Sequence, residues 1–207
     1  MSTDNKMIYT YQIEGIAVQT GDIICTRNGK PDILPGEFWR FIGRLVPGDV
    51  DHVAVYIGPN GRCIEAGGRG VIKFTVFDGH MARRRGLLFD TFYGVSSPID
   101  GLGTSEEEQA ELRARVAAYC LAQVGKPYNL NFLNAETDEM FYCSQLAYKA
   151  YQQIGINLNT GLAMEHLPGT NAIVYPQEIW DGFPHRAVKH DQPQVSTHLV
   201  TDPSGSA

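Results

Sequence analysis

Alternation of period two marks a strand where Val53, Val55 and Ile57 interleave with His52, Ala54 and Tyr56. Gly58, Pro59, Asn60 and Gly61 then supply turn chemistry, and the extended pattern resumes through Arg62, Cys63, Ile64, Glu65 and Ala66. The two segments predict a hairpin. With Gly58 facing Gly61, Ala54 faces Glu65, so Glu65 shares a sheet face with His52 as its diagonal neighbour, about 7 Å away. A one-residue slip would send Glu65 to the other face. Residues 22–26 predict a further short strand. Residues 70–77 and 86–93 carry β-branched and aromatic content, so the middle of the chain is expected to form a small antiparallel sheet or partly closed barrel.

Elsewhere the period changes to that of helices. Residues 104–124 open on Thr104 and Glu107 as a capping box and stop at Gly125 before Pro127, with Leu112, Val116, Cys120 and Val124 on one apolar stripe. A second helix starts at Tyr142-Cys143-Ser144-Gln145-Leu146. Its stripe is Leu146, Ala147, Ala150, Tyr151 and Ile154, Gly155 follows as a stop, and Cys143 lies off the stripe. Behind Pro35-Gly36-Glu37, a third helix carries Phe38, Trp39, Ile42, Leu45 and Val46 on one face. Residues 187–189 predict a last strand, residues 157–169 a long surface loop, and residues 191–207 a disordered tail rich in Pro, Ser, Thr and Gly. The first 20 residues give no clear pattern. The expectation is an α+β fold, one domain over residues 1–190.

Composition narrows the function classes. The 207 residues with 43% hydrophobic content suffice for one sizeable core. A net charge of −6 argues against a nucleic-acid surface, and the basic run Arg83-Arg84-Arg85 reads as a solvated loop. No apolar run reaches the roughly 20 residues of a membrane span, and the polar start lacks a signal-peptide layout, so a cytoplasmic location is expected. The four cysteines have no CxxC spacing, which speaks against structural zinc and against a disulfide scaffold.

One of the four is placed for chemistry. A helix N-terminus carries about half a positive charge and several N–H donors without intrahelical partners, so it favours thiolate over thiol and can hold an oxyanion. Cys143 occupies that place. A histidine beside a carboxylate is held in one tautomer and stabilised as imidazolium, which a base serving a cysteine requires. His52 and Glu65 meet that description. The other cysteines, Cys25, Cys63 and Cys120, read as packing residues, with Cys63 on the strand face of Glu65.

These residues also carry a family resemblance. Gly21-Asp22-Ile23-Ile24, the stretch from Asp51 to Gly58, Ile64-Glu65-Ala66, Gly125-Lys126-Pro127-Tyr128 and Phe141-Tyr142-Cys143-Ser144-Gln145-Leu146 resemble the circularly permuted papain-like amidases. These are the YiiX-like and YebB-like relatives of NlpC peptidases and of lecithin retinol acyltransferase, in which histidine and its orienter precede cysteine. The resemblance spans about Gly21 to His190. It implies a permuted papain-like (NlpC-like) fold, Cys143 as nucleophile, His52 as base and Glu65 as orienter, with no cofactor or metal.

Pocket candidates follow from both lines. Pro127-Tyr128 is similar to the Pro-Tyr preceding the NlpC cysteine, which implies the Tyr128 hydroxyl near the oxyanion; a packed core tyrosine is the alternative. Tyr56 within the histidine-bearing stretch and Trp39 at a cleft mouth are further pocket candidates, with core packing the alternative for Trp39. The expected activity is hydrolysis of a small peptide-like or aminoacyl amide through a thioester, with Glu136, Asp138, Glu139 and Glu165 as a source of negative charge for a cationic ligand. Acyl transfer or lipid deacylation of the lecithin retinol acyltransferase type, and a binding module without turnover, are the alternatives. Oligomeric state is left open.

Overall fold

The computed structural model describes residues 7–27, 48–76, 91–162 and 171–188. Their strands are β1 (Thr10–Ile13), β2 (Ile16–Gln19), β3 (Ile23–Arg27), β4 (His52–Tyr56), β5 (Arg62–Gly67), β6 (Gly70–Thr75), β7 (Thr91–Ser96) and β8 (His185–Ala187). The helices are α1 (Glu106–Ala122), α2 (Cys143–Gln152) and α3 (Pro176–Asp181), with a 3-10 turn over Pro98–Leu102. Among the described residues β1 and β2 form a two-stranded hairpin and the rest an antiparallel six-stranded sheet in the order β6-β5-β4-β3-β7-β8.

The run from His52 to Ile57 is apolar at nearly every position because the sheet is covered on both faces. Val53, Val55 and Ile64 pack with Val116, Leu146, Ala147 and Tyr151 of the helices. Ala54, Tyr56 and Cys63 pack instead with Ile13 and Val18 of the β1–β2 hairpin. In the β4–β5 ladder Val55 lies opposite Ile64 and Tyr56 opposite Cys63, the register expected from the turn residues. Gly61 is required there. Its φ is +74°, and a Cβ would fall 1.9 Å from the carbonyl oxygen of Val76.

Several boundaries differ from expectation. The cap of α1 is Ser105, whose hydroxyl accepts from the Glu108 N–H at 3.2 Å, while the Thr104 hydroxyl is buried without a hydrogen bond. The capping box on Thr104 and Glu107 is therefore displaced by one residue. Val124 lies past the end of α1 and is 39% exposed, so it leaves the stripe that Val116 and Cys120 continue. The β1–β2 hairpin was not expected at all; its turn places Glu14 and Gly15 at φ 48° and 78°. The short helix α3 was also not expected, although Pro176 in its first turn is a start signal. The last strand begins at His185 and ends at Ala187, two residues before the predicted end. The predicted helix with Phe38 and Trp39, the arginine run 83–85, residues 86–90, Glu165 and the tail 191–207 lie outside the described residues.

Candidate active site

Cys143 is the first residue of α2, capped by extended Tyr142. The helix behind it is buried nearly all round, since Leu146, Ala147, Ala150 and Tyr151 face the core and Ser144, Gln145, Tyr148 and Lys149 are buried as well. Cys143 itself stays partly exposed, whereas Cys25, Cys63 and Cys120 are fully buried. Burial pushes those three thiols up, Cys120 to about 12, so they remain protonated and inert.

His52 opens β4, on which α2 packs. Its Nε2 lies 2.7 Å from Oε2 of Glu65 on the neighbouring strand β5. Both side chains are sheltered, with 15% and 7% of their surfaces exposed, so the pair interacts at low effective dielectric. Cys143 neighbours the same imidazole and acts on its charge. Burial alone would lower the pKa of His52, but its interactions with Cys143, followed by those with Glu65, outweigh it and hold the group well above its ordinary value. The imidazolium form is thus favoured at this position. The structure brings Cys143, His52 and Glu65 together.

Tyr128 reaches the same place by a separate route. Val71 donates to the Lys126 carbonyl at 2.8 Å and Gly125 to the Val71 carbonyl at 2.9 Å, which fastens this segment to β6. A parallel bridge then pairs Tyr128 with Phe141, two residues before Cys143. Burial first, and the Cys143 charge second, push the Tyr128 phenol far up, so its O–H remains a donor.

Beside Cys143 lies a cavity of about 140 Å³ walled by Tyr128, Phe132, Tyr142, Val174, Tyr175 and Pro176, with Asp51 next to His52 also in the lining. The loop carrying Phe132 is tied down by Gln145. Gln145 is fully buried; its Oε1 accepts from Asn129 Nδ2 at 2.9 Å and from the Tyr142 N–H at 3.2 Å, and its Nε2 donates to the carbonyls of Ala135 at 3.2 Å and Thr137 at 3.0 Å. Sequence reasoning passed over this side chain, although a glutamine on the third residue of a helix is a capping signal.

Other candidates are placed elsewhere. Tyr56 is absent from the lining of this cavity; it is fully buried on the hairpin side of the sheet, 6.4 Å from the Tyr11 ring and in the same cluster as Cys63. Tyr56 has the same alternation parity as His52 but lies four residues further along β4, where it packs with Ala54, Cys63 and the β1–β2 hairpin. Trp39 lies outside the described residues. Glu136 and Asp138 do not line the cavity: Lys149 Nζ lies 3.7 Å from Glu136 and 3.5 Å from Asp138, and the hydroxyls of Tyr148 and Tyr119 donate to them. Glu139 is exposed and also outside the lining. Among the described residues no three His, Cys, Asp or Glu side chains gather as metal ligands, and no helix is long and apolar enough to cross a membrane.

An imidazole held between a carboxylate and a thiol at a helix start, on an antiparallel sheet backed by helices, is the chemistry of a cysteine hydrolase. The family model described as permuted papain-like amidase enzyme, YaeF/YiiX, C92 family matches residues 17–181. The chain belongs to this family and is a cysteine amidase or peptidase. No curated protein and no solved structure matches it.

Proposed function

We propose that this enzyme cleaves the amide bond of a small peptide-like substrate through a thioester on Cys143. His52 takes the thiol proton, Cys143 Sγ bonds the carbonyl carbon, and Glu65 steadies the imidazolium. The oxyanion lies between the Cys143 backbone N–H and the Tyr128 hydroxyl. Collapse breaks the C–N bond as His52 returns the proton to the leaving amine, and a water activated by His52 then releases the acid and frees the thiol.

The single observation behind this reading is the position of His52, bonded to Glu65 at 2.7 Å and beside Cys143 at the start of α2. Substoichiometric iodoacetamide at neutral pH tests it. Carbamidomethylation is expected at Cys143 ahead of the three buried thiols, with hydrolysis of small amides lost in proportion, and Cys143→Ala is expected to be inactive yet folded. Loss of turnover that tracks labelling of Cys25, Cys63 or Cys120 would overturn the assignment.

A further inference from the structure

We propose that the cavity beside Cys143 receives one compact apolar group on the acyl side of the substrate, a branched aliphatic or single-ring aromatic group next to the scissile carbonyl. This rests on the reading of Cys143 as nucleophile. Two properties of the walls select the group.

The first is their chemistry. Phe132 stands edge-on to both Tyr128 and Tyr142, with ring centroids 6.4 and 5.4 Å apart, so the wall presents a continuous aromatic surface. Two hydroxyls of the lining are engaged with the Val174 backbone. The Tyr142 hydroxyl accepts from the Val174 N–H at 3.1 Å, and the Ser144 hydroxyl donates to the Val174 carbonyl at 2.7 Å. A polar acyl group entering here would give up its water without gaining those partners. Glu136 and Asp138 lie outside the lining and are held by Lys149 and two tyrosines, which leaves Asp51 as the carboxylate in the lining.

The second is size. The volume of about 140 Å³ is close to that of apolar cavities, about 150 Å³, that hold a single benzene ring. A methyl group leaves most of it empty and a long acyl chain overfills it. The Gln145 bonds to the carbonyls of Ala135 and Thr137 fix the loop behind Phe132, so the wall cannot simply retreat.

A series of p-nitrophenyl esters decides the matter: acetyl, isovaleryl, benzoyl, dodecanoyl and 6-aminohexanoyl. Acylation of Cys143 is followed by intact mass and peptide mapping, each rate divided by that of the same ester with a free thiol. Isovaleryl and benzoyl are expected to acylate Cys143 at least about tenfold faster than the other three, the discrimination a few buried carbons provide. Phe132→Ala should raise the rate of dodecanoyl transfer relative to isovaleryl and benzoyl; should that variant not fold, the wild-type series is decisive alone. Acylation of Cys143 without this preference, or fastest with 6-aminohexanoyl or dodecanoyl, overturns the pocket and leaves the nucleophile standing. No acylation of Cys143 by any ester overturns the nucleophile, and the pocket with it.

Discussion

His52 is the residue on which two anions converge, and its protonation has a definite sign. Its pKa in the folded protein is held well above the ordinary value, so the imidazolium persists up to that raised value and is lost as pH climbs through it. The contribution to stability runs the same way: present in full below the unfolded pKa, lost as pH rises through the folded one. Glu65→Gln keeps the shape and removes one of the two raising charges. The alkaline limb of the kcat/KM profile is therefore expected to move to lower pH, with turnover reduced on the order of 10²-fold. Circular dichroism and a pH–rate series check both; a slowed enzyme with an unmoved alkaline limb would make Glu65 a packing residue.

At the scale of elements, α2 and the loop over residues 129–141 act as one unit because Gln145 joins them. Gln145→Leu preserves volume but leaves the buried Ala135 and Thr137 carbonyls without that donor, at a cost of about 3 kcal/mol. Urea unfolding should show the loss, and KM should rise more than kcat falls because the Phe132 wall loosens. What the sequence made legible follows the same division. The β4–β5 register and the start of α2 have local signals, a turn and a change of period, and so Cys143, His52 and Glu65 could be paired before any coordinates. Tyr56 was misplaced because it shares the parity of His52, yet four residues of strand separate the two and Tyr56 packs among the hairpin residues. The β1–β2 hairpin was hidden by Glu14 at a left-handed position where Asn, Asp or Gly is usual. The Gln145 contacts join positions that no local pattern connects.

Over the whole molecule, the end opposite the site is closed by a charge cluster that no periodicity foretold. Arg113, 2% exposed, donates to the Thr20 carbonyl at 3.1 Å, to Asp22 at 2.6 Å and to Asp100. Arg186 of β8 bonds Asp22 at 3.1 Å, Asp100 at 3.3 Å and Ser97 at 2.8 Å. Tyr151 near the end of α2 donates to the Gly21 carbonyl at 2.7 Å, tying the helix to the same corner. Burial raises the Asp22 carboxyl above its ordinary range and Arg113 offsets only part of this, so Asp22 works against folding as pH rises through its raised value. Arg113→Met would leave that carboxylate without its main partner, a loss of about 3–5 kcal/mol at neutral pH. Because protonating Asp22 relieves the uncompensated charge, the deficit is expected to shrink in acid. Denaturation curves of both proteins at neutral and acid pH measure it; a deficit independent of pH would mean that Arg113 acts through packing alone.

The order of His52, Glu65 and Cys143 along the chain also has a meaning in time. Synthesis proceeds from the N-terminus at about 5–20 residues per second, so the strands that carry imidazole and carboxylate leave the ribosome several seconds before the thiol. On the proposed roles, the base and its orienter wait without a nucleophile, and no partial chain that ends before α2 can be acylated at Cys143. Activity switches on only when the last of the three reacting groups arrives, which makes the nascent enzyme harmless to amides around it until the helix that bears the thiol is made.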